Sequence, residues 1–307
     1  SNGSLLSDYT LGGVSSVSVA ATVTRAPLSV VANADAKFVT TADTAGFNGV
    51  TYNGFVNGET ASDLAGTLAI TRTNASNDLA GRYSGVLVPS GLTSSNYQLS
   101  FVNGDFTVVP AGELLVRLSA ASDTYGTATS YAINSIGYYN ASQVQVVSLA
   151  GTSSISASNL VSVADGAGGT ASFTVGPSNP VYSSSGKLAV GGYNLGLTGL
   201  VTENSGNFSD TVTVIGSHQV KQKTISVNAS GVTKTYDGTT SMDGVTIGLS
   251  GVETSDAVTV SGIGAFSAKA VAASAAYTLS NLEIAGADAD NYVLATGRTA
   301  TGNGTIN

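Results

Sequence analysis

Ser95-Asn96-Tyr97-Gln98-Leu99 and Asp290-Asn291-Tyr292-Val293-Leu294 are two copies of one pattern, a polar turn leading into an aromatic and an apolar position. Ser7-Asp8-Tyr9-Thr10-Leu11 is a third copy, and Asn207-Phe208-Ser209 a weaker fourth. A second marker comes early in each interval: Ala36-Lys37-Phe38, Asp123-Thr124-Tyr125-Gly126 and Lys234-Thr235-Tyr236-Asp237-Gly238. The chain advances from Phe38 to Tyr125 by nearly as much as from Tyr9 to Tyr97, and from Tyr125 to Tyr236 by as much as from Tyr97 to Phe208. Two independent markers in one register mean internal repetition, the feature that governs every later reading of such a chain.

The register sets boundaries. Residues 1–26 read as the last strands of a preceding unit, followed by three complete units at 27–110, 111–222 and 223–307. The middle unit is the longest, and its extra residues are expected around Ser153 to Gly169. Pro27 and Pro110 stand at the first two junctions, where proline removes a ladder donor and stiffens the joint. Joints this short predict units stacked end to end as an elongated rod. Each unit is expected to own its core, so that 223–307 should fold alone with Tyr236 plugging it.

Inside the units the signal is β. Leu28 to Val31, Leu114 to Leu118, Val144 to Leu149, Ser172 to Val175, Val212 to Ile215 and Ile225 to Val227 are short runs rich in β-branched residues, as is Val17 to Val23. Many alternate apolar with Ser or Thr, the period of a half-buried strand. Asn53-Gly54, Asn57-Gly58, Asn103-Gly104, Asp165-Gly166, Asp237-Gly238 and Asp243-Gly244 supply turn dipeptides between such runs,. The best helical stretch is Glu59 to Ala65, one or two turns. The expected fold is therefore all-β and mainly antiparallel, as tandem sandwich-like modules. The alternative is a small grasp-like sheet in each unit covering one short helix, at about Asn57 to Ala65 in the first.

Composition narrows the chemistry. The 307 residues include 38 Gly, 5 Pro, no Cys and no Trp, and only 10% are charged. Without Cys there are no disulfides, thiolate zinc sites or Cys nucleophiles. Eleven basic against 19 acidic residues give a net charge of −8. The basic residues are scattered, and nucleic-acid binding needs a stripe of them. An anionic membrane surface would repel the chain, and no stretch approaches the 18 or so apolar residues of a spanning helix. Ser1 to Ser7 has no basic residue, so no signal peptide is expected there, and the chain reads as a piece of something longer.

Lys234-Thr235-Tyr236-Asp237-Gly238-Thr239-Thr240, with Gly286-Ala287-Asp288-Ala289-Asp290-Asn291-Tyr292 downstream, resembles the YDG repeat of bacterial surface exoproteins. Gly54-Phe55-Val56-Asn57-Gly58-Glu59-Thr60-Ala61-Ser62, Gly66-Thr67-Leu68 and Ser90 to Tyr97 resemble the MBG repeat that accompanies it, although Phe38-Val39 stands where that pattern has Tyr-Gly. Residues 1–26 resemble the terminal strands of a preceding YDG-like repeat, 27–110 are MBG-like, 111–222 a divergent, longer MBG-like unit, and 223–307 YDG-like. Such repeats occur in large secreted adhesins of the filamentous-haemagglutinin kind. The resemblance implies a non-enzymatic stalk or spacer at the bacterial cell surface or in the secreted protein, with neighbouring repeats as the first partners. A host or bacterial glycan or surface protein is the alternative partner. It implies no cofactor and carries no catalytic residues.

His218, the only histidine, is expected as a solvated turn residue rather than part of a triad, since no G-x-S-x-G motif accompanies it. Asp288, Asp290 and Asn291 are the tightest oxygen cluster, but calcium wants six or more ligands, so no metal is expected there. Tyr97, Tyr236 and Tyr292 are read as core plugs, with Asp237-Gly238 forming a turn. Tyr138-Tyr139 has no counterpart in the other units. Adjacent strand residues face opposite ways, so one of these rings is expected in solvent, as a contact surface for a ligand.

Overall fold

The computed structural model describes residues 23–242 and 245–307. The marker at Tyr9, the strand expected from Val17 and the Asp243-Gly244 turn lie outside the described residues.

The first unit contains β1 (Ala26–Ala32), β2 (Asp35–Phe38), β3 (Val50–Asn53), β4 (Ala65–Arg72), β5 (Gly81–Thr93), β6 (Tyr97–Val102) and β7 (Gly104–Val109). These make two sheets, ordered β3-β1-β6 and β2-β7-β5-β4. Most pairs are antiparallel, but β1 lies parallel to β6 and β2 parallel to β7. The cause is a pair of corners. After β1 the chain crosses to the second sheet through Asn33 and Ala34, and after β6 it makes the same crossing through Asn103. The two crossings pack together so closely that a Cβ on Gly104 would come 2.5 Å from the Ala32 carbonyl oxygen, so the second corner admits only glycine.

The second unit keeps this plan and adds to it. Its strands are β8 (Leu114–Leu118), β9 (Ala121–Thr124), β10 (Ile133–Asn140), β11 (Gln145–Ser148), β12 (Ser153–Ile155), β13 (Leu160–Ala164), β14 (Thr170–Pro177), β15 (Gly191–Leu197), β16 (Thr202–Glu203), β17 (Val212–Ile215) and β18 (Ser217–Lys221). One sheet runs β11-β10-β8-β17 and the other β12-β13-β14-β15-β18-β9, with β16 beside β14. Again the first strand is parallel to the penultimate one and the second to the last. Gly216 forms the corner between β17 and β18, 3.0 Å from Leu118 and Leu195 for a would-be Cβ. The additional strands extend both sheets between Gln145 and Ala164.

The third unit returns to seven strands: β19 (Lys223–Ser230), β20 (Thr233–Lys234), β21 (Thr246–Ser250), β22 (Thr259–Phe266), β23 (Ala272–Ala285), β24 (Tyr292–Leu294) and β25 (Ala300–Ile306). Its sheets, β21-β19-β24 and β20-β25-β23-β22, repeat the first unit strand for strand. β19 is parallel to β24 and β20 to β25.

The all-β expectation is met, with parallel pairs at the edges of chain entry and exit. The grasp-like alternative is not supported: the described residues hold no α-helix, and the stretch expected to be helical gives one 3-10 turn, Ala61–Asp63. Thr60 and Asp63 do form a reciprocal cap there, but none of the turn's residues is buried, so no apolar face exists to extend it.

Each unit has an apolar core. Ala32, Leu87, Phe106 and Val108 form the first. Leu114, Ile136, Tyr138, Phe173 and Leu195 stand among the residues of the second, and Phe266, Tyr277, Leu279, Leu282 and Ile306 among those of the third. Each unit thus has its own core as expected, and two further clusters bury surface between units. One joins Ala36, Phe38 and Val109 of the first unit to Leu115, Tyr139 and Ile215 of the second. The other joins Tyr125, Tyr193 and Val220 of the second to Ile225 and Tyr292 of the third.

The inter-unit junctions as the candidate functional site

The chemistry-bearing side chains of this molecule gather at its joints. At the second junction Tyr125 and Tyr292 meet edge to face, with ring centroids 5.3 Å apart. The hydroxyls of both donate to Asp256 Oδ2, each at 2.5 Å, and Asp256 Oδ1 accepts the Ser185 amide at 2.9 Å. Burial alone would raise the Asp256 carboxyl, but the donors from Tyr125, Tyr292 and Ser185 outweigh it and hold it at about 2. The same pairing, with burial first, pushes both phenols above their ordinary 10.

The Ser183–Val190 stretch of the second unit is fastened to the third by two more side chains. Asp288 accepts the Ser184 amide at 3.0 Å and the Ala257 amide at 2.7 Å; these bonds lower its carboxyl. Asn291 Oδ1 accepts the Val190 amide at 2.8 Å. Gln222, on the short link between β18 and β19, donates to the carbonyls of Asp290 and Tyr292 at 3.0 and 3.1 Å. Its Oε1 accepts the Gly58 amide at 3.2 Å, so one side chain ties all three units.

The first junction uses different residues for the same purpose. Arg117 donates to Asp35 Oδ1 at 2.6 Å and to the Ala36 carbonyl. Asn194 Oδ1 accepts the Ala34 amide at 2.8 Å, and Asn53 Oδ1 accepts the Gly192 amide at 2.6 Å. Gln219 pairs with both backbone groups of Tyr52, at 2.8 and 3.0 Å. A cavity of about 430 Å³ opens where the three units meet, lined in part by Tyr52, Phe55, Glu59, Gln219, Gln222 and Val293.

The candidate residues fall as follows. Asp288 and Asn291 do come together, but their oxygens are occupied by backbone amides, Ser184 and Val190 of the neighbouring unit and Ala257 of their own, and Asp290 contributes its carbonyl to Gln222. Among the described residues no group of three or more His, Cys, Asp or Glu is placed to hold a metal ion. Tyr138 and Tyr139 face opposite ways, yet both are buried, which corrects the expectation that one lies in solvent. Tyr138 enters the second core, 5.9 Å from Phe208, and Tyr139 enters the first junction cluster.

His218 is not a solvated turn residue. It lies on β18, 1% exposed, with Nδ1 3.1 Å from the Tyr131 hydroxyl. Nε2 is 3.2 Å from Asp123 Oδ2 without hydrogen-bond geometry. Burial lowers its pKa from the ordinary 6.5, against the opposing pull of Asp123. Tyr97 and Tyr292 are buried as expected; Tyr236 is 56% exposed and plugs no core of its own unit. Asp237 does form the turn, accepting the Thr239 amide at 2.8 Å.

Asp256, Gln222, Asn194 and the Arg117–Asp35 pair were not singled out in the sequence. A signal for Asp256 existed in the repeat itself. The Tyr97 hydroxyl accepts the Val56 amide and donates to Glu59, while the Tyr292 hydroxyl accepts the Glu253 amide and donates to Asp256. The carboxylate follows the amide by three residues in both units.

This recurrence of strand order and tyrosine clasp agrees with the comparison with known families. Residues 28–107 match the family model of the MBG domain (YGX type), and residues 221–301 that of the YDG domain. The chain is an MBG and YDG repeat region. No curated protein matches it. The YDG domain begins on the last residue of β18, so Lys221 and Gln222 belong to its first residues. The MBG domain supplies Tyr52, Asn53 and Gly58 to the joints. Both are domains of a repeat or adhesin-like kind. No helix among the described residues is long and apolar enough to cross a membrane.

Proposed function

We propose that this segment is a non-enzymatic spacer in a secreted or surface-attached bacterial adhesin, holding an adhesive region away from the cell. The observation that supports this reading is the double joint. Each junction combines an apolar cluster with several hydrogen bonds that cross between units, whereas domains on flexible linkers share few contacts. Repeats fixed to their neighbours add length without adding freedom. Sparse charge and the lack of Cys suit a chain that folds outside the cell without an oxidant.

Small-angle scattering on the 307-residue chain tests the reading. Its radius of gyration should clearly exceed the roughly 19 Å of a compact body of this length, and Gln222→Ala with Asp256→Ala should broaden the distance distribution. A compact profile would sink the spacer role. The cavity lined by Tyr52 and Phe55 favours a second reading, in which the repeats take a glycan, since partly buried rings beside polar groups suit a sugar. Binding of the segment on a glycan array, lost in Phe55→Ala, would carry that reading instead.

A further inference from the structure

Among the described marker rings Tyr236 alone is exposed. It stands two residues beyond the end of β20 and donates its amide to the Asn307 carbonyl at 2.7 Å. Tyr125 stands directly after β9 and donates its amide to the Lys221 carbonyl at 2.8 Å. Both strands run parallel to the last strand of their unit, so the two tyrosines occupy one topological position. Phe38 ends β2, the corresponding strand of the MBG domain. Phe38 and Tyr125 are 8% and 1% exposed, each inside a junction with the unit that follows.

The turn that carries Tyr236 is fixed. Asp237 Oδ1 accepts from the Thr239 amide and hydroxyl and from Lys234 Nζ, each at 2.8 Å. Lys234 Nζ also donates to the Ser241 carbonyl at 3.1 Å. Gly238 completes the turn at φ +78° with no atom near its would-be Cβ. An exposed tyrosine held on a rigid turn, at the position that elsewhere seals a joint, is a prepared contact.

We propose that Tyr236 is the docking ring for a further repeat unit, which receives it as Tyr292 and Asp256 receive Tyr125. The occupant is specified by chemistry already present in the chain. It offers a buried tyrosine for an edge-to-face contact and a carboxylate that accepts the Tyr236 hydroxyl. The MBG domain carries such a face: Tyr97 is buried, its hydroxyl bonded to Glu59 and Val56 as Tyr292 is bonded to Asp256 and Glu253. Asn96 of that face is exposed, whereas Asn291 holds Val190. The inference rests on the tandem-spacer reading and gives it a residue-level rule, in which the tyrosine of the YDG motif belongs to the next joint rather than to its own core.

The test extends the full chain after Asn307 with a second copy of residues 223–307, so that β25 leads into a new β19 as β18 leads into the first. With Tyr236→p-benzoylphenylalanine, cross-links should land on the appended copies of Glu253, Asp256 or Tyr292. Tyr236→Ala should lower the melting midpoint of the extended chain by about 5–10 °C and that of the 307-residue chain by about 1 °C or less. A second arm needs no fusion. At millimolar concentration the photoreactive 307-residue chain should cross-link to residues 56–63 or Tyr97 of a second copy. Cross-links scattered over the surface, none in either arm, or equal melting shifts in the two chains overturn the proposal. None of these outcomes alters the scattering profile of the 307-residue chain, so failure of docking and failure of the spacer role remain distinguishable.

Discussion

Tyr125 and Tyr292 come from different units, yet they stand edge to face and close their hydroxyls on one carboxylate, Asp256. Asp256 takes the Tyr125 hydroxyl and the Ser185 amide from the second unit and the Tyr292 hydroxyl from its own, a charge-assisted tie across the second junction,. Asp256→Ala leaves the Tyr292 phenol without its acceptor and the Tyr125 phenol with the Ser183 and Ser185 hydroxyls alone, and should cost about 2–3 kcal/mol in urea unfolding at pH 7. Its carboxyl is held at about 2, below the ordinary 3.8, so the contribution is complete above pH 3.8 and fades as pH falls toward 2. The gap between wild type and variant should therefore close in that window; a constant gap would remove the charge from the explanation.

Isolated residues 223–307 should be less stable than 111–307. Alone, the YDG domain exposes Tyr292 and Ile225, which the second unit covers. Calorimetry on both fragments would show the unfolding of the short one at a lower temperature than the corresponding transition in the long one. Coincident transitions would mean that the junction cluster contributes nothing.

Tyr138→Ala and Tyr139→Ala should each destabilise by about 3–5 kcal/mol, the cost of a buried ring. The first empties space in the second core and the second opens the first junction. Only Tyr139→Ala should also change the scattering profile below its melting temperature. A stability loss below about 1 kcal/mol for either would show that its ring is not packed as described.

His218 gives the fold a pH dependence of its own. Its native pKa lies below 6.5 because burial disfavours the cation. The unfolded chain binds a proton at 6.5 while the native chain resists, so stability falls as pH drops from 7 through 6.5. The Asp256 and Asp237 windows open only below 3.8, which separates the two effects. Melting temperatures of His218→Gln should be flat between pH 7 and 5.5 where those of wild type decline.

The strands were largely legible because alternation and β-branching are local. The expected runs Leu114 to Leu118 and Val212 to Ile215 coincide with β8 and β17. The partners of those strands were not legible: β8 and β17 lie side by side in parallel although nearly a whole unit of chain separates them, and no local pattern carries that. Tyr138 and Tyr139 misled for a related reason. Alternation says that neighbouring rings face opposite ways, but a strand beside a joint has apolar surroundings on both faces. The same blindness to joints misplaced Tyr236 and turned Asp288 and Asn291 into a metal question, when their partners were backbone amides, two of them about a hundred residues away.

The parallel pairing of β2 with β7, repeated in β9 with β18 and β20 with β25, fixes how each unit meets tension. Force on a tethered chain enters near the start of an early strand and leaves at the end of the last. In parallel neighbours those two points lie at opposite ends of the shared ladder. The load is then borne by all the rungs at once, in shear, instead of opening them one after another as pulling on a hairpin would. On the spacer reading proposed above, such a segment would yield abruptly and late, and the shortest of the three ladders, between Thr233–Lys234 and Thr305–Ile306, would be the first to give.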